Sequence, residues 1–310
     1  MTYSVLEQKI LKTVCYFDLF NFPLTNWEIF RNLYTAQDEA LDDISLSLAN
    51  LTTIKALGFN QGFYFLPGRS EIISSRKKKY LIAQPKMRIA LWYARILKHL
   101  PFVEAIFVCN SLSYLNSKEE SDIDFAVVVK EGRLWTGRVF CAGLMALVGR
   151  RPTNITQKNR LCLSFFVSES DPCLQKVAYS DDVHFIYWLK QFLPIYDRSN
   201  HVQKFSDANR WLDAFLPNYS PTSTNSRWLV KSNFRLSFLL ELLLKIKLGN
   251  YFERWVKHLQ LRIMPKGLIE LSKSPETNVV ISDTLLKFHD KDTRQQIQKQ
   301  WTENYQKIIC

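Results

Sequence analysis

Apolar positions recur at helical spacing from the start of the chain: Val5, Ile10, Val14 and Phe17 fall on one face, with Leu6, Leu11 and Tyr16 beside them. This pattern predicts a helix over residues 4–20, ended by Asn21-Phe22-Pro23. Thr25-Asn26-Trp27-Glu28 has the Ser/Thr-x-x-Glu form of a capping box, so a second helix is expected from about Asn26 to Tyr34. A third, Leu41 to Ala56, buries Ile44, Leu48 and Leu51. The run Leu57 to Leu66 reads as a hairpin about Asn60-Gln61-Gly62, closed by Pro67-Gly68. Residues 69–100 are helical in pattern, and Pro85 predicts a division into two helices, because a residue preceding proline leaves the helical region.

Two short apolar runs follow, Val103 to Val108 and Ile123 to Val129, which read as strands on either side of a polar turn. Leu134 to Val148 is a strongly apolar helix, Leu161 to Val167 another strand, and residues 182–192 and 208–215 are aromatic-rich helices. Pro217 to Ser226 is the clearest linker. Helices are expected over 227–248 and 251–263, with Gly249-Asn250 as the C-cap between them. Val279 to Ile281 is strand-like, and a polar helix ends the chain. His289, Asp290 and Asp292 can be drawn as a site, but a turn accounts for the same residues.

The only spacing with a chemical reason is Asp122-Ile123-Asp124. Residues two apart on a strand share a face, so both carboxylates can converge while Ile123, Phe125 and Val127 face a core. Two carboxylates are enough for Mg²⁺, which keeps its other positions for water and substrate phosphates. The same pair also reads as a solvated strand edge.

A strand, a small-residue turn at Asn110-Ser111, about ten residues, then Asp-x-Asp on a second strand is similar to the nucleotidyltransferase superfamily that includes DNA polymerase beta. The resemblance implies a nucleotidyltransferase-like mixed sheet flanked by helices. It also implies Mg²⁺ held by Asp122 and Asp124 as the catalytic pair, and phosphate bound at Asn110 and Ser111. A nucleoside triphosphate would then give its nucleotidyl group to an acceptor. Lys130 and Arg133, with Arg138 beyond them, are candidate phosphate clamps near the metal strand. Two departures stand out: the family glycine is Asn110, and the strand that should give a third carboxylate presents Cys162, Ser164 and Phe166, with Glu169 and Asp171 just past its end. A binding or regulatory protein on the same scaffold is the alternative.

Three helices and a hairpin within residues 1–68 resemble a winged helix, whose usual partner is DNA. Charge argues for a docking role, with a winged-helix DNA-binding protein as the further alternative. The net charge of +12 is unevenly placed: residues 1–68 hold seven acids against four bases, whereas 69–100 hold nine bases against Glu71 alone. Polyanion binding needs Lys and Arg, so the nucleic-acid contact, if made, belongs to the basic segment 69–100. The chain thus reads as an α+β protein: a winged-helix-like domain (1–68), a basic helical connector (69–100), a nucleotidyltransferase-like domain (101–216) and a C-terminal helical region (217–310). Its 310 residues with 47% hydrophobic content suit globular domains, and no run is long enough to span a bilayer. The start lacks a secretory pattern. Six scattered cysteines without a C-x-x-C pair read as free thiols, so a cytoplasmic location is expected. P-loop, dinucleotide and Gly-x-Ser-x-Gly patterns are absent, which sets aside the enzymes that need them.

Overall fold

A computed structural model of the chain describes residues 2–153, 156–180, 182–219, 226–231, 241, 242, 244, 247–274, 277–289 and 292–310. The N-terminal elements are α1 (Val5–Asp18), α2 (Asn26–Arg31), α3 (Leu41–Thr53) and a hairpin of β1 (Gly58–Asn60) and β2 (Phe63–Phe65). Both α1 and α2 begin in complete capping boxes, Ser4 with Glu7 and Thr25 with Glu28, each satisfying two of the amide donors that a helix start leaves unpaired. Asn60 pairs with Phe63, leaving Gln61 and Gly62 as a two-residue loop. Both have positive φ, 54° and 83°, which the twist of a tight hairpin requires.

Next comes α4 (Ile72–Leu97), a single helix that carries Pro85 inside it rather than breaking there. Pro85 is exposed, so the carbonyl that loses its helical donor can be hydrated, and packing of Ala83, Met87, Ala90 and Leu97 holds the two halves in line. After it run β3 (Val103–Val108), α5 (Asn110–Ser113), β4 (Ile123–Val129), α6 (Leu134–Leu147), β5 (Leu161–Ser168), α7 (Val183–Lys190), β6 (Leu193–Asp197) and α8 (His201–Ala208). The segment expected as a helix over 208–215 is instead the end of α8 and a 3₁₀ turn, Arg210–Ala214. Then α9 (Lys247–Ile263), α10 (Lys266–Leu271), β7 (Val279–Ile281), β8 (Leu285–Phe288) and α11 (Arg294–Ile309) complete the described chain. Most of the helix expected over 227–248, most of the linker expected over 217–226, and Asp290 lie outside the described residues. Gly249 and Asn250 sit within α9 rather than capping a helix end. A Cβ at Gly249 would fall 1.8 Å from the Leu244 carbonyl oxygen and 2.9 Å from the Arg133 guanidinium, which bonds Asn250 Oδ1 and that same carbonyl, each at 2.9 Å.

Six strands form one mixed sheet in the order β6-β3-β4-β5-β8-β7. Only β4 and β5 run parallel, joined by α6 as a crossover helix; every other neighbouring pair is antiparallel. Alternation along the strands supplies two cores. Ile123, Phe125, Val127 and Val129 face α4, α6 and α9, where Leu97, Trp135, Met145 and Val256 are buried. Gly137 lets α6 lie close on β4, since an added Cβ would fall 2.6 Å from Val129 Cγ1. Ala126, Val128, Phe165 and Leu285 face the opposite way and share a core with α7, α11 and the N-terminal helices, including Ile10, Leu48 and Trp301. The segment 1–68 is therefore packed into this second core. Arg294 locks α11 down through an ion pair to Asp182 at 2.9 Å with both side chains almost wholly buried, and Trp301 donates to the Lys12 carbonyl at 2.8 Å. Among the described residues no helix is long and apolar enough to cross a membrane.

Candidate functional site

The chain passes from β3 into α5 through Cys109 and Asn110. The Cys109 amide donates to the Asp124 carbonyl at 3.1 Å, which pins the turn against the start of β4. Asn110 has φ 57°, the left-handed conformation that Asn tolerates best after glycine. Its side chain does more than tolerate the turn. The amide oxygen accepts from Trp188 Nε1 at 2.6 Å, and the same side chain hydrogen-bonds the Asp124 carboxylate. Asn110 thus bridges α7 and the acid pair. Ser111 lies one residue on, its Oγ 3.3 Å from Ser117 Oγ and its carbonyl holding the Asn116 amide at 2.8 Å.

Parallel pairing of β4 with β5 sets Asp124 opposite Cys162. One oxygen from Asp122, one from Asp124 and Cys162 Sγ lie within 4.8 Å of one another. Burial pushes the Asp124 carboxyl up to about 7, with Asp122 adding to the rise, while hydrogen bonds from Asn110 and Cys162 oppose it. Asp122 is also raised by burial, moderated by a hydrogen bond to its own backbone and by Lys86. Burial and the same two acids raise the Cys162 thiol. Two neighbouring carboxylates that cannot both ionise easily are a site that a cation would relieve. The residues present therefore fit a divalent ion: two hard oxygen donors suit Mg²⁺ or Mn²⁺, and the thiol adds a softer donor to the set.

Lys86 comes from the basic segment but is 3% exposed, donating to the Ser121 carbonyl at 2.6 Å and to Asn159 Oδ1 at 3.0 Å. It holds the strand entry and places a cation near Asp122. Other bases of that segment also have internal partners. Arg76 forks onto Glu28 at 2.5 and 2.8 Å, Arg69 reaches Asp18 at 3.1 Å, and Lys79 reaches the Phe20 carbonyl at 3.1 Å. Lys77, Lys78, Arg88 and Arg95 are exposed.

Of the residues singled out from sequence, the structure brings together Asn110, Asp122 and Asp124, with Ser111 on the same turn. Lys130 and Arg133 lie past the other end of β4. Seven strand residues at roughly 3.3 Å each separate them from the acids by about 20 Å. Lys130 is 3.8 Å from Glu169, and Arg133 is spent on Leu244 and Asn250. Glu169 and Asp171 also stand at that far end: Glu169 bonds His201 Nε2 at 2.6 Å, and Asp171 accepts from Lys176 and, at 3.0 Å, from Thr284. The position opposite Asp124 is filled by Cys162. Cys162, Lys86 and Trp188 are members of the site that periodicity alone does not reveal, because each arrives through tertiary pairing.

Glu104, Glu169 and His201 form a second group whose donor atoms lie within 4.8 Å of one another, at the far end of the sheet. Arg198 bridges Glu104 at 2.8 Å and Glu241 at 3.1 Å, so cations of the chain already balance much of this acidic charge. No family model, no curated protein and no solved structure matches the chain.

Proposed function

We propose that this chain is a nucleotidyltransferase-like protein in which Asp122 and Asp124 hold Mg²⁺ and the Asn110-Ser111 turn receives the phosphates of a nucleoside triphosphate, whose nucleotidyl group passes to an acceptor. The observation that carries the reading is the convergence of Asp122, Asp124 and Cys162 beside that turn, on a strand, turn, short helix, strand unit. When bound, the cation supplies charge neutralisation for the phosphates and the departing pyrophosphate. The chain's own part is positional. Asn110 aims Asp124, Cys109 fixes the turn to β4, and Lys86 steadies the approach to Asp122. The N-terminal helices and hairpin, read as a winged-helix-like unit, serve docking in this view, since they hold seven acids against four bases and two of those acids, Asp18 and Glu28, pair with Arg69 and Arg76 of the next segment.

The test is nucleotide binding by the full chain with Mg²⁺ or Mn²⁺, followed by transfer of labelled nucleotide to candidate acceptors. Loss of metal-dependent binding in the Asp122→Asn, Asp124→Asn double variant supports the reading; unchanged binding sinks the metal role. A second reading, nucleotide binding without transfer, draws on Cys162 in the place opposite Asp124 and on Asn110 being committed to both Trp188 and Asp124. It predicts metal-dependent binding with no labelled product for any acceptor.

A further inference from the structure

A cavity of about 510 Å³ lies between α6 and the α9–α10 pair, reaching the β5 edge at Cys162 and Ser164. That edge is open because β8 pairs with β5 only from Phe165 to Val167. The volume is in the range of small-molecule sites, roughly 300–1,000 Å³. Its walls are largely apolar, with Ala142, Met264, Leu268 and Phe288 among them, and its charged lining residues are two arginines, Arg138 and Arg151.

Arg138 is unusually placed. Among the described residues its buried Nε has no hydrogen-bond partner and its one polar contact is Gln260 Oε1, while its guanidinium stacks 4.6 Å from the Phe288 ring centre. Gln260 is neutral and itself locked, its amide donating to the Trp135 carbonyl at 2.9 Å. Among the described residues no carboxylate pairs with Arg138 or with Arg151. Burial, with Arg151 adding to it, pushes the Arg138 guanidinium down to about 10. Removing a cation from water without a counter-charge is costly, and an anionic group entering this cavity would offset that cost. Exposed apolar side chains stand at its mouth, with bases beside them: Ile263 is 74% exposed between exposed Arg262 and Lys266, and next to the lining residue Ala146 stand Leu147 at 87% and Val148 at 50%, followed by exposed Arg150 and Arg151. Apolar walls leading from a cationic interior to exposed Ile263 suit a ligand with an anionic head and a hydrocarbon body.

We propose that this cavity binds a single-chain amphiphilic anion, a carboxylate or phosphate head on Arg138 with Arg151 at the mouth, and the chain along Ala142, Met264 and Leu268 towards Ile263. Cys162 borders both this cavity and the acid pair, but the head and chain contacts proposed here use neither Asp122 nor Asp124, so binding can be tested whether or not transfer occurs. The test titrates the full chain with decanoate, decyl phosphate, decanol and decyltrimethylammonium, each kept below its micellar concentration, by calorimetry. One or both anions should bind, decanol about ten- to a hundredfold more weakly, and the cation not measurably, as a charge-assisted hydrogen bond would give.

Two variants separate head from chain. Arg138→Gln should bring the anion down to the affinity of decanol. Gly143→Leu should remove binding of all probes while keeping the fold, because Gly143 lines the cavity, sits in α6, and a Cβ there meets no atom within 4 Å. Equal binding of decanol and both anions, or undiminished binding in a folded Gly143→Leu variant, would overturn the proposal. So would binding to anionic phospholipid vesicles with none to the monomeric anions, which would make the exposed apolar side chains at the mouth a membrane contact.

Discussion

Asp124 and Cys162 stand opposite each other on the two parallel strands of the sheet, a carboxylate raised to about 7 beside a thiol. The pairing places a soft donor next to two hard ones. Cys162→Asp should therefore convert the group to three carboxylates, tighten Mn²⁺ and Mg²⁺ binding by tenfold or more, and weaken any preference for Zn²⁺. Metal titrations of the two proteins, read by calorimetry, check this. Equal Mg²⁺ affinity would show that the third position does not touch the ion.

The raised Asp124 has a consequence for stability without metal. Its folded value lies above that of the unfolded chain, so between about pH 4 and 7 the native state holds the extra proton. Stability then falls as pH rises, by at most about 1.4 kcal/mol per pH unit. Urea unfolding in EDTA at pH 5 and pH 7.5 should show the fall, and Asp124→Asn should flatten it.

Lys287 predicts the opposite slope at higher pH. Burial, reinforced by Arg294, lowers its ammonium to about 7, and the side chain sits over the rings of Phe185 and Trp188 at 5.0 and 5.3 Å. Between about pH 7 and 10 the unfolded chain carries more protons, so stability rises with pH. Lys287→Met should raise the unfolding midpoint at pH 7 and abolish that rise. A variant that keeps the same slope would assign it elsewhere.

The Arg294–Asp182 ion pair is buried on both sides. Arg294→Met alone leaves Asp182 uncompensated and should cost about 3–5 kcal/mol. The double variant with Asp182→Asn, which keeps an oxygen to cap the Phe185 amide, should recover much of that loss. Denaturant midpoints of the three variants against the parent decide it, and simple additivity of the two single changes would count against the pair acting as a unit.

What the sequence discloses is local. Thr25 and Glu28 announce a capping box that forms as read, and alternation along β4 sends Ile123, Phe125, Val127 and Val129 to the face opposite Asp124. Pro85 misleads because the rule against helix before proline is a local preference, and burial of Ala83, Met87 and Ala90 overrides it. Strand β6 is hidden by Pro194, which is tolerated because β6 is an edge strand. The site is half visible for the same reason. Asp122 and Asp124 are neighbours in sequence, but Cys162 reaches them only through the register of β4 with β5. The distance of Lys130 and Arg133 follows from the length of β4, which is easily overlooked when residues are close in number.

Since α11 helps to close the core that contains α1, the first helix waits for one encoded some 290 positions later. At translation rates of roughly 5–20 residues per second, that wait is about 15–60 seconds. During it the nascent N-terminal segment leaves the ribosome with part of its greasy face uncovered, a window in which a holding chaperone has something to grip.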